Sequence, residues 1–301
     1  MVEYKNLFSS FLRENQIKIN EPMSRHTTFG IGGPADCFVM PETLEELQKI
    51  VKKVNEESIP LFVLGGGANL LVRDKGIRGV VVHMGRMQKM ECDGSHLHAF
   101  AGVSTAAVAK RAMEHGLSGM EFAAGIPGSI GGAAYMNAGA YDGEMAEVVE
   151  SVISCDSKGN IVLHSGKELD YGYRHSLFMQ NKEIIIEVVM NLSPGCIEQI
   201  KMKMDDFNDR RRTKQPLEKK SAGSTFKRPA GHFVGQMIEE LGLKGFSVGD
   251  AKVSTKHAGF LINDGKASCS DMIALIHEVQ KRVEEKYKVK LKTEVQIIGE
   301  E

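Results

Sequence analysis

The sequence predicts a mixed α and β fold built from several modules. The chain has 301 residues, more than one hydrophobic core usually organises. Apolar runs typical of strands are interspersed with helical patterns up to Pro194, and helical patterns dominate beyond it. We therefore expect an α/β module at residues 1–84, a β-rich module at 85–195 and a third module at 196–290.

In the first module we expect two helices and three strands. One helix is predicted over residues 1–17. Thr43 and Glu46 form a capping box that starts the other. The apolar residues of this second helix recur at helical spacing: Leu44, Leu47, Ile50, Val51 and Val54. The strands are predicted at residues 35–40, 61–64 and 78–84.

The second and third modules are separated by the change of pattern at Pro194. A helix is predicted from Ser104 to a stop at Gly116, and the glycine-rich residues 125–143 predict neither a helix nor a long strand. The remaining elements of the second module are a strand at 97–101, a hairpin at 148–164 and a strand at 184–192. The third module is predicted to hold helices starting at 197, 234 and 270, and the chain ends in the strand "TEVQIIG".

Composition and charge exclude several classes of protein. The net charge of −1 lacks the basic excess of a nucleic-acid binder. The five cysteines are widely spaced and include no C-x-x-C pair, which argues against a disulfide framework or a zinc site and favours a reduced, cytosolic chain. The N-terminus is charged and no 18-residue apolar run occurs, so neither a signal peptide nor a membrane span is expected. No protein partner is implied.

Three consecutive glycines, Gly65–Gly67, follow the strand at 61–64. A tight turn is the simpler explanation, but a turn usually needs only one or two glycines. Close approach of a ligand is the alternative, because successive N–H groups after a strand bind anions. The spacing matches neither the dinucleotide fingerprint G-x-G-x-x-G nor a P-loop. A second glycine-rich stretch, Gly125–Gly132, suggests one long phosphate-bearing ligand, and a dinucleotide has that shape.

Seven segments in one order closely resemble the UDP-N-acetylenolpyruvoylglucosamine reductase family. They are "TFGIGGPAD", "LGGGANLLV", "EFAAGIPGSIGGAAYMNAGAYDGE", "YRHSLF", "AGSTFKRP", "HAGFLIN" and "LKTEVQIIG". The resemblance extends from about Ser24 to Gly299. The short segment between "YRHS" and "AGS" is similar to the compact class of the family, which lacks a tyrosine-bearing insertion, so no tyrosine phosphate ligand is expected.

The resemblance implies an α+β fold of the vanillyl-alcohol-oxidase superfamily. It comprises an FAD-binding module in two α/β subdomains, the first completed by the C-terminal strand at 291–301, and a substrate-binding domain. FAD and NADPH are the implied cofactors. The residues implied to hold the FAD pyrophosphate are Gly65, Gly66, Gly67, Ala68, Asn69, Gly125, Ile126, Pro127, Gly128, Ser129, Gly131 and Gly132.

The implied reaction reduces an enolpyruvyl ether to a lactyl ether, with a UDP-sugar as the small-molecule substrate. NADPH reduces the flavin, and hydride then reaches the enolpyruvyl β-carbon. Negative charge spreads from the α-carbon into the carboxylate, so a cation and a proton donor are needed. Arg174 matches the family's catalytic arginine, and its fixed fork suits a carboxylate. A surface ion pair with Asp170 is the alternative for Arg174.

Ser224 matches the general acid and Glu294 the third catalytic residue. A hydroxyl that satisfies a Gly-Ser turn is the alternative for Ser224, and a solvated strand face is the alternative for Glu294. Lys214 is an implied UDP phosphate ligand, or else an exposed helix end. Arg228 is an implied substrate residue, at a position where the longer class of the family carries asparagine.

Two other functions compete with the reductase. A flavin oxidase of the same superfamily would act on an alcohol or sugar, and a non-catalytic regulator would bind the nucleotide without turnover. His96 and His98 would share one strand face as a metal site, but no cysteine or carboxylate ligand is evident nearby, so no metal is expected.

Overall fold

The computed structural model describes residues 3–301, which form eight α-helices and eighteen strands. The helices are α1 (Tyr4–Phe8), α2 (Leu44–Glu56), α3 (Thr105–Glu114), α4 (Ile130–Met136), α5 (Leu177–Asn181), α6 (Ile197–Lys214), α7 (Val234–Glu240) and α8 (Cys269–Tyr287). The strands are β1 (Ile17–Pro22), β2 (Pro34–Val39), β3 (Leu61–Leu64), β4 (Leu70–Val72), β5 (Ile77–His83), β6 (Met90–Asp93), β7 (His96–Phe100), β8 (Leu117–Ser118), β9 (Gly139–Ala140), β10 (Gly143–Glu144), β11 (Val149–Cys155), β12 (Ile161–Ser165), β13 (Ile184–Asn191), β14 (Ser193–Pro194), β15 (Ser247–Val248), β16 (Ala251–Val253), β17 (Leu261–Asn263) and β18 (Gln296–Ile298).

The chain divides into two compact units. The first unit contains residues 1–19, 37–66 and 79–210, and the second contains residues 20–36, 67–78 and 211–301. This division differs from the three consecutive segments that the sequence suggested, because residues 20–36 and 67–78 cluster with the C-terminal part. The physical reason is packing, since Phe29, Ile31 and Leu71 belong to the same buried core as α7 and α8.

The first unit contains two sheets. One has the order β1-β2-β5-β3, with β3 and β5 parallel, and most of its residues belong to this unit. The other is antiparallel, in the order β12-β11-β13-β7-β6. Helix α2 begins at the predicted capping box, where the Glu46 N–H donates to Thr43 Oγ1 at 3.2 Å. Its predicted apolar stripe is confirmed at Leu47, Ile50, Val51 and Val54, which are buried, whereas Leu44 is partly buried.

The second unit contains a three-stranded antiparallel sheet, β15-β16-β17, that contacts α8. A parallel pair joins β4 to β18, with Leu70 opposite Gln296. Asp74, just after β4, lies at the start of α8, where its carboxylate accepts hydrogen bonds from the Cys269 and Ser270 amides at 2.8 and 3.0 Å. The segment 67–78 is therefore tied to the C-terminal part by strand pairing and by a helix cap.

Three predictions about secondary structure are wrong. The helix expected over 1–17 is confined to Tyr4–Phe8 among its described residues, and Ile17 already begins β1. The glycine-rich stretch contains a helix, α4. Glycine is required within this helix because Gly131 packs so closely on Ala101 that a Cβ would lie 2.5 Å from the Ala101 Cβ. The last strand begins at Gln296, so Glu294 precedes it. Among the described residues, no helix has the length and apolar character needed to cross a bilayer.

Candidate active site

The glycines after β3 pack against other backbone too closely for any side chain. In the first unit, a Cβ on Gly65 would lie 2.4 Å from Ser129 Oγ, and one on Gly66 would lie 2.5 Å from Gly128 Cα. In the second unit, Gly67 has φ of +63°, and its Cβ would lie 1.9 Å from the His26 carbonyl oxygen. Protein packing therefore accounts for the missing side chains without a ligand.

The amides of this loop are the stronger sign of a ligand. Across residues 3–301, no protein acceptor receives a hydrogen bond from the backbone N–H of Gly65, Gly66, Gly67 or Ala68. Gly65 and Ala68 are half-buried and Gly66 is exposed. Backbone donors require partners, and successive free amides form an anion-binding concavity. The two unused donors of the first unit, Gly65 and Gly66, suit a phosphate or diphosphate group.

The second glycine-rich stretch meets the first at Gly128 and Ser129. The N–H groups of these two residues also have no acceptor within the described part of the chain. Gly131 and Gly132 differ, because their N–H groups donate to Ala101 O at 3.1 Å and to Ser129 Oγ at 3.3 Å. Gly125, Ile126 and Pro127 lead into this point and are half-buried or exposed. The Gly125 N–H likewise has no acceptor among the described residues, so the amides available to a ligand here are those of Gly125, Gly128 and Ser129.

Asn69 ties the end of the first glycine loop to the segment that carries Glu294. Its side-chain amide donates to the Glu294 carbonyl oxygen at 3.1 Å, and its own carbonyl accepts from the Gln296 N–H at 3.0 Å. These contacts lie within the second unit. Asn69 therefore has a structural role in addition to its implied role in holding the FAD pyrophosphate.

Arg174 lies in the first unit at the tip of a two-residue turn. Gly172 and His175 exchange backbone hydrogen bonds at 3.1 Å across the base of this turn. Arg174 has φ of +54°, which is uncommon for a residue other than glycine and is often found at functional sites. Its guanidinium is half-buried and donates to the carbonyl oxygens of Asn137 and Gly139 at 3.3 Å each.

The alternative partner proposed for Arg174 contacts other side chains. The Asp170 carboxylate lies 3.2 Å from His175 Nε2 and accepts from Gln180 Nε2 at 2.9 Å. The guanidinium carbon of Arg174 lies 5.1 Å from the centre of the exposed Tyr173 ring. The Asp170 carboxylate is therefore engaged by His175 and Gln180, and two carbonyl oxygens are among the contacts of Arg174.

Ser224 and Glu294 lie in the second unit on neighbouring chain segments. Next to Ser224, the Thr225 carbonyl accepts from the Glu294 N–H at 2.8 Å, and Phe226 pairs antiparallel with Thr293. Ser224 is exposed and Glu294 is half-buried. The fold thus brings together two residues that are 70 positions apart in the sequence. Arg174 belongs to the other unit.

The two implied substrate residues are cations at exposed positions. Lys214 is the last residue of α6. The Arg228 guanidinium lies 4.0 Å from the centre of the Phe233 ring, and its Nε donates to the His232 carbonyl at 3.3 Å. Phe233 is 59% exposed, so this stacked pair presents a flat surface to solvent.

His96 and His98, the two histidines considered as metal ligands, each contact a different glutamate. His96 Nε2 lies 3.0 Å from Glu150 and His98 Nδ1 lies 2.9 Å from Glu187. No group of three or more metal-ligating side chains occurs among the residues that the structure describes.

Sequence reasoning missed Asn137, which joins three segments of the first unit. Its side chain is fully buried, donates to Gly172 O and accepts from the Ala146 N–H, both at 2.9 Å. The only sequence signal was its place after a helical run within a glycine-rich stretch, where asparagine tolerates positive φ.

Comparison with known proteins identifies both parts of the chain. Residues 35–164 match the model of an FAD binding domain, and residues 215–298 match that of the UDP-N-acetylenolpyruvoylglucosamine reductase C-terminal domain. The chain also has the fold of alkyldihydroxyacetonephosphate synthase over 64% of its length, covering 41% of that chain, with a TM-score of 0.51 and 18% identity. Fold and matched domain together define an FAD-dependent oxidoreductase.

Full-length relatives narrow this class to one family. UDP-N-acetylenolpyruvoylglucosamine reductases from Caldanaerobacter subterraneus and Syntrophomonas wolfei are each 48% identical, covering 96% and 99% of this chain and 96% and 100% of theirs. The crystal structure of the enzyme from Thermus caldophilus is 35% identical, with a TM-score of 0.79 over 93% of this chain and 97% of that one. The chain belongs to the UDP-N-acetylenolpyruvoylglucosamine reductase family.

Proposed function

We propose that the protein reduces UDP-N-acetylglucosamine enolpyruvate to UDP-N-acetylmuramate with NADPH, a step of peptidoglycan precursor synthesis. The observation that carries this proposal is the 48% identity over nearly the whole chain to enzymes of that name. The structure supports it by offering free amides for a diphosphate and by placing the segments of Ser224 and Glu294 side by side.

The residues present fit the FAD pyrophosphate. In the first unit, the unused N–H groups of Gly65, Gly66, Gly125, Gly128 and Ser129 are the donors that would face it. Gly131 and Gly132 would contribute indirectly, since Gly131 allows α4 to start close to Ala101 and the Gly132 N–H donates to the capping Ser129 hydroxyl. The bound flavin supplies hydride transfer between NADPH and the enolpyruvyl β-carbon.

Arg174 stabilises the charge that develops on the substrate carboxylate. A guanidinium is always protonated and presents donors in a fixed plane, which suits a carboxylate that gains charge in the transition state. Its contacts to the Asn137 and Gly139 carbonyls help to fix the orientation of the fork. Because the guanidinium is held in place before the reaction, it needs little movement to stabilise the transition state.

Ser224 donates its Oγ proton to the α-carbon, and Glu294 helps to hold the enolic group. A hydroxyl is a weak acid, but an enolic carbon is strongly basic, so the proton moves without prior ionisation of the serine. The exposure of Ser224 leaves its hydroxyl accessible to a substrate. Lys214 and Arg228 are both exposed cations of the second unit; Lys214 is proposed to contact the UDP diphosphate, and Arg228 is proposed to contact the substrate.

The decisive experiment measures cofactor and substrate dependence together. The purified protein is expected to show flavin absorbance and to oxidise NADPH over many turnovers only when the enolpyruvyl sugar nucleotide is added, since without it each flavin is reduced once. UDP-N-acetylglucosamine, which lacks the enolpyruvyl group, is the matched control and should not accelerate NADPH oxidation. A protein that cannot be reconstituted with FAD would refute the proposal, and oxygen consumption with a reduced sugar would indicate the oxidase instead.

A further inference from the structure

The turn that carries Arg174 is attached to the end of α4 at two points. On one side of the turn, Gly172 O accepts from Asn137 Nδ2 at 2.9 Å. On the other, the buried Ser176 hydroxyl donates to Tyr135 O at 2.7 Å. A turn with positive φ at a non-glycine residue needs such support, because that backbone conformation is strained.

Asn137 contacts this turn with both its side chain and its backbone. It ends α4 with φ of +44°, and its side-chain oxygen accepts from the Ala146 N–H, just after β10. The Asn137 carbonyl accepts from Arg174 Nη1, while the Gly139 carbonyl, two residues on, accepts from Nη2. One fully buried residue therefore sets both the base of the turn and one contact of the guanidinium.

We propose that Asn137 is the positioning residue that aims the Arg174 guanidinium at the substrate carboxylate. The inference rests on the proposed role of Arg174. Asparagine suits the position because its planar amide supplies one donor and one acceptor and because it tolerates positive φ. Glycine would keep the backbone conformation and lose both side-chain hydrogen bonds. Aspartate would keep the acceptor and lose the donor to Gly172.

The test separates positioning from simple destabilisation by using two ligands. UDP-N-acetylmuramate carries the carboxylate, and UDP-N-acetylglucosamine lacks it. Calorimetric titration of the oxidised, FAD-loaded protein should show that Asn137→Gly weakens binding of UDP-N-acetylmuramate roughly 10- to 100-fold, the range for a lost hydrogen bond to a charged group. Affinity for UDP-N-acetylglucosamine should stay near the wild-type value.

The matched control is Lys182→Gly, which changes another left-handed helix-terminating residue of the first unit. Lys182 has φ of +59°, follows α5 and is exposed. Its substitution should leave both affinities unchanged. In an Arg174→Ala background, Asn137→Gly should add less than roughly a twofold loss of UDP-N-acetylmuramate affinity, because residues that act through one another are not additive.

Three results would overturn the inference: equal weakening for both ligands, full additivity with Arg174→Ala, or unchanged UDP-N-acetylmuramate affinity in Asn137→Gly. If Asn137→Gly does not fold, Asn137→Asp is titrated in its place and is judged by the same three results. Failure of the proposed function is distinct, because the wild-type protein itself would then show no preference for the carboxylate-bearing ligand.

Discussion

In the first unit, Arg174 lies at the tip of a turn with positive φ, and the side chains of Asn137 and Ser176 hold that turn. In the second unit, Ser224 lies beside a segment that is held by backbone pairing to residues 292–295. The first arrangement depends on the chemistry of particular buried side chains. The second depends on hydrogen bonds that almost any residue can make.

This difference predicts unequal tolerance to substitution. Changes around Arg174 should redirect its charge even when the fold survives. Changes next to Ser224 should lower stability while leaving the surviving folded molecules competent. Substitutions of the two reacting side chains and of their neighbours test that contrast.

Removing the proposed proton donor should have the largest effect. Ser224→Ala is expected to slow oxidation of the reduced flavin by substrate roughly 10²- to 10⁴-fold, the usual contribution of a general acid. Flavin reduction by NADPH should remain near normal, because that step needs no proton at the α-carbon. Stopped-flow absorbance measures the two half-reactions separately, and equal slowing of both would contradict the role of Ser224.

Arg174→Lys should have the next largest effect. Lysine keeps the charge but not the planar fork, so the variant is expected to lose about 3 kcal/mol of transition-state stabilisation. The loss should appear in kcat/KM for the enolpyruvyl substrate and not in the rate of flavin reduction. Lys182→Arg, an exposed change in the same unit, is the control. Unchanged turnover would exclude Arg174 from the mechanism.

The sequence predicted the elements whose signals are local. Helix α2 has a capping box and an apolar stripe, and both were readable. Helix α4 could not be predicted, because glycine lowers helix propensity, and Gly131 is needed there for packing on Ala101, a contact that no local pattern reveals. The pairing of Thr225 with Glu294 is equally non-local. Only the resemblance to a family allowed Ser224 and Glu294 to be assigned to the same site from the sequence.

Thr225→Val tests the claim that backbone pairing suffices beside Ser224. The Thr225 side chain is 1% exposed, and its Oγ1 accepts from the Leu261 N–H at 3.2 Å. Valine has a similar shape but leaves that N–H without its acceptor, which should lower the free energy of unfolding by about 1–3 kcal/mol. The backbone contacts to Gly259 and Glu294 remain, so turnover of the folded variant should stay near wild type.

Thr28→Val is the matched control for Thr225→Val in the same unit. Across residues 3–301, the buried Thr28 Oγ1 has no hydrogen-bond partner. Its loss should change the free energy of unfolding by less than about 0.5 kcal/mol. Chemical denaturation measures both variants. A selective loss of turnover in Thr225→Val, with stability unchanged, would show that side chains also aim Ser224 and would remove the contrast between the units.

The smallest change in the free energy of unfolding is expected on substitution of Asp74. This substitution tests whether the Asp74 carboxylate holds residues 67–78 to α8. Partial burial by itself would raise the pKa of the Asp74 carboxyl, but hydrogen bonds from Cys269 and Ser270 outweigh burial and lower the pKa. A lowered pKa in the folded state means that the ionised carboxylate contributes stability above its unfolded pKa of about 3.9. That contribution is lost as the pH falls through the folded pKa.

Asp74→Asn should therefore lower the free energy of unfolding by about 1 kcal/mol or less at pH 7, as expected for a weakened cap at an exposed helix start. The difference from wild type should begin to shrink as the pH falls below about 4, because the carboxyl of the unfolded chain is then protonated, and it should vanish only once the pH has passed the lowered pKa of the folded state. Denaturation curves at several pH values measure this difference. A gap that stays constant from pH 7 to pH 3 would mean that the charge of Asp74 is not what ties this segment to α8.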